Sequence, residues 1–169
     1  MKISTLTTIL HALNHNDVRF LIVGGVAVNL HGYQRMTADL DLVIQLESSN
    51  VQAALSVFEG FDYKPSAPVA LLDFNDAEKR LDWIENKNMT VFQLWSDKYL
   101  DTSIDIFVTE PFDFNEKYNE AQTILLDQDL SIKLISIPTL IDMKKSADRL
   151  RDRDDIEHLQ SIMGVEDED

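Results

Sequence analysis

The chain has 169 residues, of which 44% are hydrophobic and 27% charged, and its net charge is -15. These values are typical of a folded globular domain and exclude a disordered chain. Because the chain has no cysteine, disulfides, thiolate metal ligands and cysteine nucleophiles are excluded. The negative charge repels phosphate backbones, which argues against binding of long nucleic acids.

The length suits one domain, which we expect to cover residues 1–165, followed by an acidic tail at 166–169. No apolar run approaches the roughly 20 residues that a membrane helix needs. The first residues have the pattern of an amphipathic helix and lack the unbroken apolar segment of a signal peptide. We therefore expect a cytoplasmic protein with no membrane segment.

Helices and strands alternate in the first third of the predicted structure. Apolar spacing predicts helices over 4–15, 26–31 and 49–58, and strands over 19–23 and 39–44. A polar link covers 33–38, and Gly60 ends the third helix. Between the first strand and the second helix stand Gly24 and Gly25, which predict a tight turn.

The middle and the end of the chain have different patterns. Residues 61–100 contain two prolines and short mixed apolar runs, which predict short strands and loops. Strands follow at 103–108 and, as a pair, within 121–135. Two helices close the chain, one after Pro138 and one from about Asp152 to Met163, with Gly164 as its stop. The order predicts an α/β (α+β) fold with a mixed sheet, flanking helices and closing C-terminal helices.

The chemistry-bearing residues begin with Asp39 and Asp41, which lie two apart on a predicted strand. Their carboxylates therefore point to the same face. Two carboxylates repel each other unless a cation lies between them, and Mg²⁺ prefers such oxygen ligands together with substrate phosphates. Asp105 would add a third carboxylate if its strand lies beside the first. Three converging acids suit a site with two metal ions.

Each of these features also has a structural explanation. A lone pair of acids on a strand is usually a solvated face, a glycine pair is usually a turn, and Asp105 alone is usually a surface acid. Their combination is more specific, because Gly24 and Gly25 would let the backbone approach phosphate closely beside the acids.

The segment VGGVAVNLHGYQRMTADLDLVI and the later SIDIFV carry a family resemblance. The pattern resembles the DNA polymerase β-like nucleotidyltransferase superfamily. Within it, this segment and the C-terminal LIDMKKSADRLRDRDDIEHL are similar to the small bacterial group with AbiEii-type toxins and aminoglycoside or lincosamide nucleotidyltransferases. The resemblance covers about residues 18–46, 103–108 and 138–160, and the middle third of the chain shows no match.

The resemblance implies a role for each matching residue. Gly24 and Gly25 would hold a nucleoside triphosphate through their N–H groups. Asp39, Asp41 and Asp105 would be the catalytic ligands of Mg²⁺, or of Mn²⁺, and Asp105 could also act as general base on the acceptor hydroxyl.

Further cofactor-binding candidates flank this core. Arg35 and Thr37 could contact phosphate or the acceptor, although Arg35 could equally pair with a nearby carboxylate. Lys144 and Arg149 could reach the triphosphate from the closing helices, or could be solvated helix residues.

Two acids of the last helix, Asp152 and Asp155, are interpreted as a helix cap or as partners of Arg149 and Arg151. The four histidines show no metal-ligand spacing, and Trp83 and Trp95 are predicted to lie in the core.

The leading functional hypothesis is transfer of a nucleoside monophosphate from an NTP to an acceptor hydroxyl. The acceptor could be a small molecule such as an antibiotic, a protein hydroxyl or an RNA end. A toxin role with an antitoxin partner follows from the AbiEii resemblance, and a homodimer is also compatible with it. The alternative is a non-catalytic nucleotide-binding or protein-interaction module that has kept the fold.

Overall fold

The computed structural model describes residues 1–166, which form a seven-stranded sheet with helices packed on it. The strands are β1 Phe20–Val23, β2 Asp39–Ile44, β3 Lys64–Pro65, β4 Val91–Trp95, β5 Ser103–Phe107, β6 Gln122–Asp127 and β7 Leu130–Leu134. The helices are α1 Ile3–His15, α2 Gly24–Leu30, α3 Ser48–Gly60, α4 Ala77–Lys87, α5 Phe114–Glu120, α6 Ile137–Ala147 and α7 Leu150–Glu166, with a short 3₁₀ helix at Leu71–Asn75.

The strand order across the sheet is β3-β4-β5-β2-β1-β7-β6. Strands β2 and β5 run parallel, as do β1 and β7, and the other neighbours are antiparallel. The predicted α/β (α+β) class with a mixed sheet and closing C-terminal helices is therefore confirmed.

The core lies around the central strands. All four residues of β1 are buried, as expected for an unbroken apolar run in the middle of a sheet. On β4 and β5, buried residues alternate with more exposed ones, so these strands have one face in the core and one more open face. Trp83 of α4 is 3% exposed and stacks on Phe92, which confirms its predicted place in the core. Trp95 is 40% exposed, so the prediction that it belongs to the core is wrong.

Two helices lie outside the sequence predictions. The region 61–100 was expected to hold only short strands and loops, but it contains α4. Asp76 caps this helix by accepting hydrogen bonds from the backbone N–H groups of Glu78 and Lys79, and Asn88 ends it in a left-handed conformation. Helix α5 is capped in the same way by Asp113. These cap signals are readable in the sequence.

The predicted end of the last helix at Gly164 is also wrong, because α7 continues to Glu166. Of the expected acidic tail at 166–169, Glu166 is the last residue of α7, and residues 167–169 lie outside the described part of the chain. The predicted start of α6 is confirmed: Pro138 lies in its first turn, after the capping residue Ser136.

No helix among residues 1–166 has both the length and the apolar character needed to cross a membrane.

Candidate active site

The parallel pairing of β2 and β5 brings the three acids together. Asp41 is in register with Asp105, and Asp39 is in register with Ser103. Residues in register on neighbouring strands point to the same side, and Asp39 and Asp41 share a face because they are two apart. The expectation that the strand of Asp105 lies beside that of the acidic pair is therefore confirmed. All three acids are only partly exposed.

Each carboxylate has a different hydrogen-bond environment. Asp39 Oδ1 accepts a hydrogen bond from the hydroxyl of Ser103. The Asp41 carboxylate accepts one from the backbone N–H of Gly25, and the side chain of Gln93 is hydrogen-bonded to Asp105. The Oδ1 atom of Asp105, however, is buried and has no hydrogen-bond partner. A buried carboxylate oxygen without a donor is costly and calls for a missing ligand.

Two of the acids have raised pKa values. Burial, together with the negative charges of Asp105 and Asp39, raises the pKa of Asp41 to about 7. Burial and the charge of Asp39 raise the pKa of Asp105, against the opposing effect of its hydrogen bond from Gln93. The cluster therefore carries more negative charge than its own surroundings neutralise.

The two glycines are packed tightly against this cluster. Gly24 has φ +64°, and a Cβ atom there would lie 2.1 Å from Asp41 Oδ2. A Cβ on Gly25 would lie 2.6 Å from Thr37 Oγ1. Gly24 thus needs glycine for its backbone conformation as well as for space, whereas Gly25 needs it for space. Both positions are fixed by contacts with the residues around the acidic pair.

Arg35 is held beside these glycines by a buried acid of the last helix. Its Nε and Nη2 atoms donate to the two oxygens of Asp155 at 2.6 and 2.7 Å, a bidentate ion pair. A Cβ on Gly25 would lie 3.1 Å from Arg35 Nη1, so the guanidinium directly borders the glycine turn. The reading of Arg35 as the partner of a nearby carboxylate is confirmed, and its predicted contact with phosphate or acceptor stays a prediction.

Lys144 belongs to the same network. Its ammonium donates to Asp155 at 2.6 Å and to Asp152 at 3.2 Å. The residue is 6% exposed, so the alternative of a solvated helix lysine is wrong. Its positive charge also lowers the pKa of Asp41. A contact of Lys144 with a triphosphate stays a prediction.

Asp155 itself is fully buried. Burial alone would raise its pKa, but the hydrogen bonds from Arg35 and Lys144 outweigh that effect and leave the pKa below its ordinary value. The expectation that Asp155 pairs with Arg149 or Arg151 is wrong, since Arg35 and Lys144 occupy both of its oxygens.

Asp152 does act as a cap, because it accepts a hydrogen bond from the backbone N–H of Arg149. Arg149 lies in the connection between α6 and α7 and is exposed. Its charge lowers the pKa of Asp105, and its contact with a triphosphate stays a prediction.

The sequence analysis missed two residues of the site. One holds the loop before β2 in place, and the other is hydrogen-bonded to an acid of the cluster. The side chain of Asn29 both donates to the backbone carbonyl of Arg35 and accepts from its N–H, at 2.9 and 3.0 Å. Gln93 lies opposite Asp105 on β4. The role of Gln93 depends on the register of β4 with β5, which only the structure shows. No pattern in the sequence indicates the role of Asn29.

The acidic cluster fits a divalent cation in its donor chemistry. The three carboxylates lie on neighbouring strands, and one of them has a buried oxygen without a hydrogen-bond partner. Carboxylate oxygens are the ligands that Mg²⁺ or Mn²⁺ binds together with phosphate oxygens. Within residues 1–166, however, no group of three or more His, Cys, Asp or Glu side chains is arranged so that it could hold a metal ion. Such a cluster, built from carboxylates alone, would need further oxygen ligands from water or substrate.

Comparison with known proteins gives fold relatives only. No protein-family model matches the chain, and no curated protein matches it. Among solved structures, the lincosamide antibiotic adenylyltransferase LnuA in its lincomycin-bound form is 20% identical, with a TM-score of 0.65, over 96% of this chain and 98% of that one.

A second solved structure is the antibiotic-resistance factor ANT(2'')-Ia, which is 13% identical, with a TM-score of 0.57, over 98% of this chain and 88% of that one. Both alignments extend over nearly the whole chain, including the middle third in which the sequence pattern gave no match. The chain therefore has the fold of these two proteins, with its three strand acids gathered on one face beside the glycine turn.

Proposed function

We propose that the chain is a nucleotidyltransferase that moves a nucleoside monophosphate from an NTP to a hydroxyl group of a small molecule. The observation that supports this most is the register of Asp41 with Asp105 on parallel strands, with Asp39 on the same face. The likeness of the fold to an antibiotic adenylyltransferase and to an antibiotic-resistance factor supports a small-molecule acceptor over a protein or an RNA end.

Asp39, Asp41 and Asp105 would hold Mg²⁺, or Mn²⁺ in its place. When bound, the cation supplies positive charge that neutralises the triphosphate and stabilises the attacking and leaving oxygens. The partnerless Oδ1 of Asp105 and the raised pKa of Asp41 both indicate that this acidic face lacks a positive partner.

In the transfer step, the acceptor hydroxyl oxygen forms a bond to the α-phosphorus, and the bond between that phosphorus and the bridging oxygen of the β-phosphate breaks. Pyrophosphate leaves, and Asp105 accepts the hydroxyl proton. Arg35 borders the glycine turn and Lys144 acts on Asp41 through its charge, so both would contribute positive charge near the departing phosphates. Thr37 and the backbone of Gly24 and Gly25 would border the triphosphate.

The assay is Mg²⁺-dependent NTP binding by titration calorimetry, with Asp39→Asn/Asp41→Asn as the test variant. Binding should be lost while the circular dichroism spectrum stays that of the folded protein. The chain offers a matched control in Asp127 and Asp129, another pair two residues apart, which is exposed in the turn between β6 and β7. Asp127→Asn/Asp129→Asn should bind NTP as the unmodified chain does. Equal binding by the two double variants would refute the proposal.

Turnover separates the enzyme from a non-catalytic nucleotide-binding module. Pyrophosphate release should depend on an acceptor when the four NTPs are tested against a panel of hydroxylated small molecules. Tight Mg²⁺–NTP binding without release across the panel would favour the module. The homodimer and the antitoxin partner stay predictions from the sequence resemblance.

A further inference from the structure

The loop between α2 and β2, residues 31–38, borders the glycine turn and leads directly into the strand that carries the acidic pair. Two of its side chains lie against Gly25: a Cβ atom there would be 2.6 Å from Thr37 Oγ1 and 3.1 Å from Arg35 Nη1. Gly25 in turn donates its backbone N–H to the Asp41 carboxylate. The placement of the 31–38 loop therefore affects how the glycine turn meets the acids.

Helix α7 holds this loop at two positions. At the buried position, Arg35 forms its bidentate ion pair with Asp155. At the more exposed position, the Tyr33 hydroxyl donates to Asp154 Oδ2 at 2.6 Å. The Tyr33 ring also stacks on the His158 ring, with 3.7 Å between the ring centres and 8° between the ring planes. The two positions are two residues apart on the loop, so together they restrain its path toward β2.

The partners of Tyr33 are fixed by contacts within α7. Asp154 and His158 are four residues apart and therefore lie on the same face of the helix. His158 Nδ1 donates to the carbonyl oxygen of Asp154 at 2.9 Å and lies 3.6 Å from its carboxylate. The hydrogen bond to Asp154 raises the pKa of Tyr33, so the phenol stays a donor at neutral pH. We define Tyr33, Asp154 and His158 as the outer clasp.

The outer clasp lies at the surface of the protein. Tyr33 and His158 are partly exposed, and Asp154 is exposed. Polar contacts at such positions add little to the stability of a fold. They can still reduce the number of conformations open to a loop, which lowers the entropic cost of binding a ligand beside it. We therefore expect the outer clasp to matter more for the placement of the loop than for folding.

We infer that Tyr33 and His158 are positioning residues, which hold the 31–38 loop against Gly25 so that the glycine turn is ready to receive the triphosphate. The inference rests on the proposed function for the identity of the ligand. Neither residue needs to contact the nucleotide.

The size of the effect follows from the fraction of molecules in which the loop is in place. The apparent dissociation constant rises as that fraction falls, so a loop in place in about 10–30% of the molecules gives binding about 3- to 10-fold weaker. The loss stays partial because Arg35 keeps its other restraints: Asp155 still binds its guanidinium, and Asn29 still binds its backbone N–H and C=O.

The first test measures the dissociation constant of the Mg²⁺ complex of the best-bound NTP by titration calorimetry, at a temperature where circular dichroism shows every variant to be folded. Tyr33→Ala and His158→Ala should each raise it about 3- to 10-fold. Combining them should add little, because either substitution alone removes the stack. Tyr33→Phe loses the bond to Asp154 but keeps a ring for the stack, so it should raise the constant less than about 3-fold.

Tyr118→Ala is the matched control. Tyr118 is also a partly exposed tyrosine in a ring stack, but its partners are Phe114 and the guanidinium of Arg19, which precedes β1, whereas the glycine turn follows the other end of that strand. Its removal should lower Tm and leave nucleotide binding unchanged.

The second test needs no nucleotide. Deuterium exchange of the Gly25 amide, followed by NMR, reports how often its hydrogen bond to Asp41 opens. Tyr33→Ala should speed this exchange about 3- to 10-fold, the same range as for binding. The amide of Val108, which is bonded to the carbonyl of Thr90 at 3.2 Å on another part of the sheet, should exchange at an unchanged rate.

A role in stability alone would give a different result. Tyr33→Ala would then lower Tm, while the folded protein would keep both its affinity for Mg²⁺–NTP and its rate of Gly25 exchange. That result overturns the inference. Equal weakening of binding by Tyr118→Ala also overturns it, as does a Tyr33→Phe variant that binds as weakly as Tyr33→Ala, since the stack would then contribute nothing.

The two proposals fail in different ways. Failure of the nucleotide proposal would show as absent Mg²⁺–NTP binding in the unmodified chain, with Gly25 exchange still faster in Tyr33→Ala. Failure of the positioning inference would show as normal Mg²⁺–NTP binding, with the same affinity and the same Gly25 exchange in the unmodified chain and in Tyr33→Ala.

Discussion

The buried carboxylate of Asp155 connects the last helix to the loop before β2, and its removal should destabilise the fold strongly. Asp155 is fully buried and accepts two hydrogen bonds from Arg35 and one from Lys144. In Asp155→Ala, the guanidinium loses the two bonds from its Nε and Nη2 atoms, and Lys144 keeps only its longer bond to Asp152. Two cations are then left short of negative charge in a poorly solvated place.

Removing one partner of a buried ion pair costs about 3–5 kcal/mol. That is a large fraction of the roughly 5–15 kcal/mol that stabilises a typical protein. At about 2–4 °C per kcal/mol for a chain of this size, Tm should fall by about 6–20 °C. Lys144 and Asp152 still form a pair, which places the expected value toward the lower part of the range.

The assay is urea unfolding followed by circular dichroism, with Glu157→Ala as the control. Glu157 lies on the same helix two residues further on and is exposed, so its removal should change the free energy of unfolding by less than about 0.5 kcal/mol. A loss below about 1 kcal/mol for Asp155→Ala would refute the reasoning, because it would mean that the two cations find water or other partners at little cost.

A double-mutant cycle identifies the pair responsible. Arg35→Ala and Asp155→Ala should each destabilise the protein, and their combination should cost less than the sum by about 1.5–3 kcal/mol, since the second substitution no longer leaves a partner unpaired. Additive losses would show that Arg35 and Asp155 do not depend on each other in solution.

The other predictions concern the glycine turn, the acids and the start of the sheet. Gly24→Ala should lower the free energy of unfolding by more than 1 kcal/mol and reduce Mg²⁺–NTP binding, because φ is +64° and the new Cβ would lie 2.1 Å from Asp41 Oδ2. Gly60→Ala, with no atom within 4 Å of its Cβ, is the matched control and should do neither. In the absence of Mg²⁺, the pKa of Asp41 is about 7 in the folded protein and about 4 in the unfolded chain. Between these pH values the folded state therefore binds more protons than the unfolded state. The free energy of unfolding should therefore fall as pH rises from about 4 to 7, and unfolding of Asp41→Asn at the two ends of that range should show a weaker fall. Asn50→Ala should cost about 2 kcal/mol in urea unfolding, because its buried side chain satisfies both the N–H and the C=O of Arg19, and Asn50→Asp should cost at least as much, because the second carboxylate oxygen would face the carbonyl oxygens of Arg19 and Gln45.

The local sequence pattern was sufficient for most of the regular elements. The unbroken apolar run of β1, the alternation at the start of β2 and the 3.6-residue spacing of α1 each appear in the structure where they were predicted. These patterns report which face is buried, and burial decides secondary structure over such short segments. Helix α4 was missed because its apolar residues are few, so that only its caps mark it.

The site was only partly readable. Spacing showed that Asp39 and Asp41 share a face, and the glycine pair predicted a tight turn that lets the backbone come close to phosphate. That Asp105 lies in register with Asp41 depends on which strands pair, and pairing is a long-range property of the sheet. The sequence alone allowed Asp105 to be a surface acid.

What the sequence determined by itself was the order of helices and strands and the kinds of side chain available near the glycine turn. Only the tertiary structure decided the partners and the exposure: that Asp155 takes Arg35 and Lys144 and not the nearby arginines, and that Trp95 stays exposed at the end of β4. The physical reason is that periodicity reports the environment of a residue relative to its neighbours in sequence. Ion pairs, register and exposure at a sheet edge arise from contacts between segments far apart in the chain, whose geometry is set by the packing of the whole fold.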